Sequence, residues 1–194
     1  MSGTVIFING TSSSGKTSII HALQEMLEQP YLDMGVDRFI FMLPKRYLAR
    51  PLWDDVLGKA HRAGNTGLLL ISGMHHAILA AANRGLNVLV DHVLVEKAWV
   101  DESARLFAGL PAYLIGLRCP LEIVEERERS RKDRTLGQAR LQYPVVHAYA
   151  RYDLELDTSS MSAEECALQI IQRLKTPPLA FRRLNPECYN PTDV

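Results

Sequence analysis

Apolar and polar positions divide the chain into two kinds of segment. Short apolar runs lie at residues 5–8, 31–36, 88–90 and 113–119, and an alternating run lies at 152–157. Runs of this length bounded by turn-forming residues predict strands, and the near-continuous ones predict strands buried on both faces. Between them the apolar positions recur at helical spacing. Lys16 to about Glu28 carries Ile19, Ile20, Leu23, Met26 and Leu27 on a helical pattern. Residues 68–82 do the same and end at Asn83-Arg84-Gly85, a helix stop. Residues 96–107 predict a further helix, and Pro120 opens a charged one. Residues 137–151 predict another, broken or started near Pro144. The last covers 162–174, where Ser162 and Glu165 have capping-box spacing. Residues 38–52 are apolar but irregular or short-helical, and 53–65 predict a loop or hairpin.

Strands alternating with helices predict a three-layer α/β/α domain around a mainly parallel, five-stranded sheet with right-handed crossovers. In such folds ligands gather at the carboxyl ends of the strands. That rule brings together the turn after the first strand, Asp37 after the second and Asp91 after the third. The segment from Thr176 holds four of the chain's ten prolines and is expected to be extended or loosely attached. The organisation expected is one domain over residues 1–175 and a Pro-containing tail over 176–194.

The turn after the first strand carries chemistry. Gly10-Thr11-Ser12-Ser13-Ser14-Gly15-Lys16-Thr17 fits G-x-x-x-x-G-K-[ST], the phosphate-binding P-loop. Glycines allow backbone conformations that a Cβ would block. Successive N–H groups can then cradle phosphate oxygens, and the following helix adds its positive end. Lys16 is placed to reach the β- and γ-phosphates of ATP, and the Thr17 hydroxyl to hold Mg²⁺. Strand, loop and helix occur in the order the motif requires.

Asp91 ends the apolar run Asn-Val-Leu-Val-Asp, as a metal-holding carboxylate beside Thr17 would; alternatively it is a strand-end turn residue. Asp37 is the candidate base, because transfer to an alcohol needs a carboxylate that orients the hydroxyl and takes its proton. Asp33 is its rival inside the strand, and the structural alternative for Asp37 is a helix cap before Arg38. Residues 125–134, Glu-Glu-Arg-Glu-Arg-Ser-Arg-Lys-Asp-Arg, read as an arginine-rich lid within about 122–140. Arg127 and Arg131 lie four apart, with Arg134 further along; planar guanidinium groups suit transferring phosphate. A solvated helix laced with Glu–Arg pairs is the other reading.

Composition narrows the remaining classes. Lys plus Arg equals Asp plus Glu at 22 each, which argues against a nucleic-acid or anionic-membrane surface. No apolar stretch approaches the ~18 residues of a membrane span. Three cysteines, Cys119, Cys166 and Cys188, without a C-x-x-C pair, suggest free thiols in a reducing compartment. A cytoplasmic protein is expected, and a homo-oligomer is compatible with the sequence. The six histidines form no metal-binding pattern. His92 and His147 read as structural residues before they read as ligands.

Together these residues resemble the chloramphenicol phosphotransferase family of P-loop small-molecule kinases. The resemblance rests on Ile-Asn-Gly-Thr-Ser-Ser-Ser-Gly-Lys-Thr at 8–17, Gly-Val-Asp at 35–37, Val-Asp at 90–91 and Arg-Cys at 118–119. It continues through Arg127, Arg131, Asp133-Arg134, Val-Val-His at 145–147 and Tyr-Asp-Leu-Glu-Leu-Asp-Thr at 152–158, covering about residues 4–174. It implies ATP-dependent phosphorylation of a primary hydroxyl of chloramphenicol, with Asp37 as base and residues 10–17 holding ATP. In related kinases the loop after the last strand, here including Thr158, lies near the adenine. Lys16 and Arg134 then join Asp37 in the catalytic set. Two departures stand out. His92 follows Asp91 where a second acidic residue is expected, and residues 38–75 match poorly. Both spare the phosphoryl-transfer machinery and leave acceptors such as a metabolite, a nucleoside or another natural product open. A non-catalytic nucleotide-binding module is the more distant alternative.

Overall fold

The computed structural model describes residues 1–44, 65–131 and 136–188. Strands β1 (Val5–Asn9), β2 (Tyr31–Asp33), β3 (Asn87–His92), β4 (Ala112–Arg118) and β5 (Leu154–Asp157) form one sheet in the order β2-β3-β1-β4-β5. Every pairing is parallel. The described helices are α1 (Lys16–Met26), α2 (Val36–Ile40), α3 (Asn65–Asn83), α4 (Lys97–Phe107), α5 (Leu121–Ser130), α6 (Gln138–Gln142), α7 (Ala163–Arg173) and α8 (Ala180–Leu184). The expected fold class is the one observed. Residues 53–64 of the expected loop or hairpin and the catalytic candidate Arg134 lie outside the described residues, and Asn65 already belongs to α3.

The central strand β1 explains the layering. Val5, Ile6, Phe7 and Ile8 are all fully buried, and successive strand residues point to opposite faces. Val5 and Phe7 join Val88, Val90 and Leu114 under α3 and α4. Ile6 and Ile8 join Leu89, Ile115 and Leu156 under α1 and α7. Each such side chain taken from water stabilises the fold by about 1.5–3 kcal/mol. Helix α1 meets its core with Ile19, Ile20 and Leu23, and α7 meets the same core with Cys166, Ala167 and Ile170. The capping box at Ser162 is formed: its hydroxyl accepts from Glu165 N–H while the Glu165 carboxylate accepts from Ser162 N–H.

Three local expectations change. The second strand ends at Asp33, not beside Asp37, because the Asp33 carboxylate accepts from Gly35 N–H at 3.2 Å and turns the chain. Asp37 therefore lies in the first turn of α2. The helix expected over 137–151 is five residues long, followed by turns. Pro144 has no N–H to donate, so the α-helical ladder stops there. The segment after Thr176 is docked, not loose, as far as Cys188. Its anchor is the buried carboxylate of Asp153, which accepts from Leu179 N–H, Ala180 N–H and the Arg173 guanidinium at 2.7–3.1 Å. Phe181 then packs against both Phe7 and Phe107, with ring centroids 5.2 and 5.9 Å away, completing a three-ring cluster.

Phe181 is 2% exposed, so Phe181→Ala removes a ring that the rest of the core cannot replace. The substitution is expected to lower unfolding free energy by about 3–5 kcal/mol, read from the urea midpoint at unchanged slope.

Candidate active site

The P-loop is built as the sequence requires. Ser13 and Gly15 take left-handed conformations, with φ of 61° and 94°, and turn the loop between β1 and α1. The hydroxyls of Ser12, Ser13 and Ser14 are buried and have no hydrogen-bond partner among the described residues. Buried polar atoms left this way are costly, and phosphate oxygens would satisfy them. Lys16 Nζ donates to the carbonyl oxygens of Gly10 and Thr11 at 2.9 and 2.7 Å and lies 3.7 Å from Asp91. It folds back over the loop it is expected to complete.

Asp91 reaches this loop because of strand register. β3 pairs with β1 so that Asp91 stands beside Ile8, two residues before Gly10 opens the loop. Its Oδ2 accepts from the Thr17 hydroxyl at 3.4 Å. Two hard oxygen donors at one cavity wall suit a magnesium ion. Asp37 arrives by a different route. The N-terminus of α2 passes directly over Asp91, where a Cβ on Gly35 would come within 2.7 Å of the Asp91 Cβ. Glycine is required there by close approach, since its backbone is ordinary extended chain. Asp33, the rival base, is bound to the Arg38 guanidinium at 2.7 Å and to Gly35 N–H.

A cavity of about 580 Å³ unites these groups; Lys16, Thr17, Asp37, Asp91, Arg127, Arg131 and Thr158 all line it. That volume suits a drug-sized ligand. Met161, Ala163 and Cys166 line it along with Thr158, giving an apolar wall next to the loop after β5. Arg127 holds this region to the lid: one guanidinium nitrogen donates to Thr158 carbonyl oxygen at 2.8 Å. Arg131 ends α5. Other lid residues are partly structural. Arg140 of α6 pairs with Glu125 of α5 at 2.6 Å, tying the two helices together. The buried Glu128 carboxylate accepts from Gly137 and Ala139 N–H, capping α6. Of the apolar residues 39–43, Ile40 lines the cavity with Val36, whereas Phe41 and Met42 are exposed.

The sequence profile of chloramphenicol phosphotransferase-like proteins matches residues 3–175. The chain belongs to that family. A curated relative from Mycobacterium tuberculosis (strain H37Rv), provisionally named an O-phosphotransferase, is 33% identical over 197 residues. The match covers 94% of this chain and 88% of the relative. Among solved structures, the tunicamycin resistance protein of Deinococcus radiodurans is similar at a TM-score of 0.64 and 19% identity, covering 91% of this chain and 98% of that one. A gluconokinase from Sinorhizobium meliloti gives 0.63 and 16%, covering 89% and 91%. At those identities the likeness is one of fold, the P-loop kinase fold. Family membership makes the chain a phosphotransferase with an alcohol group as acceptor, a small-molecule kinase.

Within this chloramphenicol phosphotransferase-like chain, the departure at His92 is resolved by its surroundings. His92 is fully buried and lies with Phe7 and Trp99 in the core. Its Nδ1 accepts from Val93 N–H at 2.8 Å, so its proton sits on Nε2 and is donated to His75 Nε2 at 2.9 Å. His75 must then carry its proton on Nδ1, facing Glu102 at 2.6 Å. The Glu102 carboxylate also accepts from the Ser72 hydroxyl. One hydrogen-bonded chain thus fixes both tautomers and keeps both rings neutral; burial pushes the pKa of each down. Sequence reading also missed Asn9 and Gln142. Asn9 Nδ2 donates to Val146 carbonyl oxygen and to the Tyr152 hydroxyl, and Asn9 Oδ1 accepts from Leu94 N–H. Tyr152 in turn donates to His147 Nδ1 at 2.6 Å. A polar residue closing an otherwise apolar strand was the available signal for Asn9; Gln142 had none.

Two outcomes follow from this geometry. Gly35→Ala should separate α2 from Asp91 and lower turnover by at least about tenfold, since small misplacements of a reacting group cost that much or more; steady-state assays and the unfolding midpoint together separate this from global unfolding. Stability should also fall on acidification. Burial, reinforced by the Arg118 charge, lowers the His147 pKa from 6.5 to about 4. Between those values the unfolded chain binds a proton that the folded chain refuses, so stability present above pH 6.5 is lost as pH falls towards 4. His75 and His92 act with the same sign. Urea midpoints between pH 7 and 5 should fall less steeply in His147→Asn than in the wild type.

Proposed function

We propose that the enzyme transfers the γ-phosphoryl group of ATP to a hydroxyl of a small, partly apolar molecule, with chloramphenicol as the leading acceptor. The observation that carries this reading is the shared cavity. It presents the orphaned donors of the P-loop, Lys16, the Thr17–Asp91 oxygen pair and the Asp37 carboxylate to one space. In this reading the N–H groups and hydroxyls of residues 10–17 bind the triphosphate. Lys16 leaves the Gly10 and Thr11 carbonyl oxygens for the β- and γ-phosphates. Asp37 orients the acceptor hydroxyl and takes its proton as the oxygen attacks. Arg127 and Thr158 border the nucleotide, while Arg131 and Arg134 of the lid neutralise charge on the transferring group. Thr17 and Asp91 would hold Mg²⁺, which supplies neutralisation of the phosphate charge when bound. Catalysis is then positioning and electrostatics.

Val36, Ile40 and Val93 line the cavity along with Asp37 and favour an acceptor with apolar surface over a highly charged one. The balanced charge and the free thiols, two of them buried, support a cytoplasmic enzyme acting on free small molecules and not on nucleic acid. The second reading keeps the reaction and changes the acceptor to another natural-product alcohol, a metabolite or a nucleoside. The poorly matching residues 38–75 favour it, because the described part of that segment brings Ile40 to the cavity beside Asp37.

Incubation with ATP, Mg²⁺ and chloramphenicol should give a product heavier by one phosphoryl group in mass spectrometry, and Lys16→Ala should give none. Absence of product from protein that binds ATP removes chloramphenicol and leaves the second reading. Asp37→Asn should lower turnover by about 10²–10⁴-fold, the range of a general base, with nucleotide affinity within about twofold of wild type, since the P-loop contacts are untouched. Near-normal turnover in that variant would take Asp37 out of the mechanism.

A further inference from the structure

One of the P-loop amides is already occupied by a side chain. Ser12 N–H donates to Gln142 Oε1 at 2.6 Å. An N–H group can only donate, so the atom facing it is the carbonyl oxygen, and the orientation of the side-chain amide is fixed. Gln142 is 4% exposed, and its Nε2 has no hydrogen-bond partner among the described residues. Both Gln142 and Ser12 line the cavity. A carbonyl oxygen and a phosphate oxygen are both acceptors, so Gln142 Oε1 stands where a phosphate oxygen could.

The position along the loop says which phosphate. Lys16 Nζ rests on the carbonyl oxygens of Gly10 and Thr11, next to Ser12. That lysine serves the β- and γ-phosphates, so Ser12 N–H belongs to the same end of the cradle. The backbone around Gln142 is held. Its carbonyl oxygen accepts from Val145 and Val146 N–H, Val146 carbonyl oxygen accepts from Asn9, and Glu128 caps the start of α6. The side chain is therefore the part free to change partner.

We propose that Gln142 is a specificity-determining residue for the terminal phosphate: it closes the Ser12 amide with its carbonyl oxygen before nucleotide binds, and yields that amide to ATP while presenting its NH₂ group to a γ-phosphate oxygen. Resting on the kinase reading above, this deepens it. A neutral amide suits both roles because it carries an acceptor and a donor on one carbon. A carboxylate of the same length can serve only the first, and it meets the γ-phosphate as a like charge. ADP lacks the terminal phosphate and leaves the Gln142–Ser12 bond intact. Gln142 thereby links its own hold on the loop to the number of phosphates bound.

The test is the ratio of ATP to ADP affinity, measured by calorimetry with Mg²⁺ on the full chain, without any acceptor. Gln142→Glu is expected to lower that ratio by at least about tenfold, since a hydrogen bond to a charged group is replaced by repulsion. Gln142→Met keeps the length, loses both polar atoms, and is expected to lower it about threefold or more; it serves if the buried carboxylate impairs folding. Equal ratios in wild type and both variants, or equal loss of both nucleotides, would overturn the assignment of Gln142 while leaving the kinase reading intact. Wild-type protein that binds neither nucleotide would overturn both.

Discussion

The site hangs on one buried side chain, the amide of Asn9 at the end of the central strand. A parallel sheet ends in unpaired backbone groups, and here chain segments are gathered over that end around a fully buried side chain. Asn9 does this with both halves of its amide. Its oxygen takes the N–H of Leu94 as the chain leaves β3, and its NH₂ group holds Val146 on the return from the lid and the hydroxyl of Tyr152 before β5. Two connections, held at three points, are thus fixed to the residue that precedes Gly10. A buried amide hydrogen-bonded through both halves specifies an arrangement, because any displacement leaves an unsatisfied polar group. The P-loop begins at a firmly anchored point of the molecule, and its conformation inherits that rigidity.

From that anchor, distances within the site follow from sheet register and one steric allowance. Parallel pairing sets Asp91 beside Ile8 and His92 beside Asn9. Alternation then sends Asp91 towards Thr17 and His92 into the core, where His75 and Glu102 satisfy it. The unexpected residue after Asp91 consequently belongs to packing and not to chemistry. On the outer side, the missing side chain of Gly35 lets α2 lie against Asp91. Asp37 reaches the cavity as a helix residue, a position set by the close approach of backbone to strand more than by the length of β2.

What the sequence made legible, and what it hid, divides along the same physical line. Local signals were read well: the P-loop, the capping box at Ser162, the short apolar runs that place β1 and β3, and the helical patterns that place α1 and α7. These depend on neighbours in sequence. The misreadings needed partners far away. The docking of the tail rests on Asp153 accepting from Leu179 and Ala180, 26 and 27 residues on, which outweighs the disruptive influence of the prolines. The end of β2 is the exception, a local turn in which Asp33 accepts from Gly35 N–H two residues on. The occupation of Ser12 N–H by Gln142 spans 130 residues of sequence, and a lone glutamine at the end of a short helix gives no hint of it. The segment 38–67 was the least legible, since it carries neither a motif nor a clean period.

The unsatisfied atoms of the loop show how stability and function are divided in this fold. Buried hydroxyls at Ser12, Ser13 and Ser14 without partners among the described residues each oppose folding by about 1–3 kcal/mol. Two well-packed cores on either side of the sheet offset them. Such a loop is preorganised for anionic oxygens, which it can bind without first giving up internal hydrogen bonds, except where Lys16 and Gln142 intervene. Lys16 turns its donors onto the Gly10 and Thr11 carbonyl oxygens, and Gln142 supplies Ser12 N–H with the acceptor that a ligand would otherwise bring. Affinity for nucleotide therefore depends on whether hydrogen bonds to phosphate outweigh the bonds that Lys16 and Gln142 surrender. A ligand that cannot replace both has less reason to be held, so the loop's internal hydrogen bonds are themselves part of its selectivity.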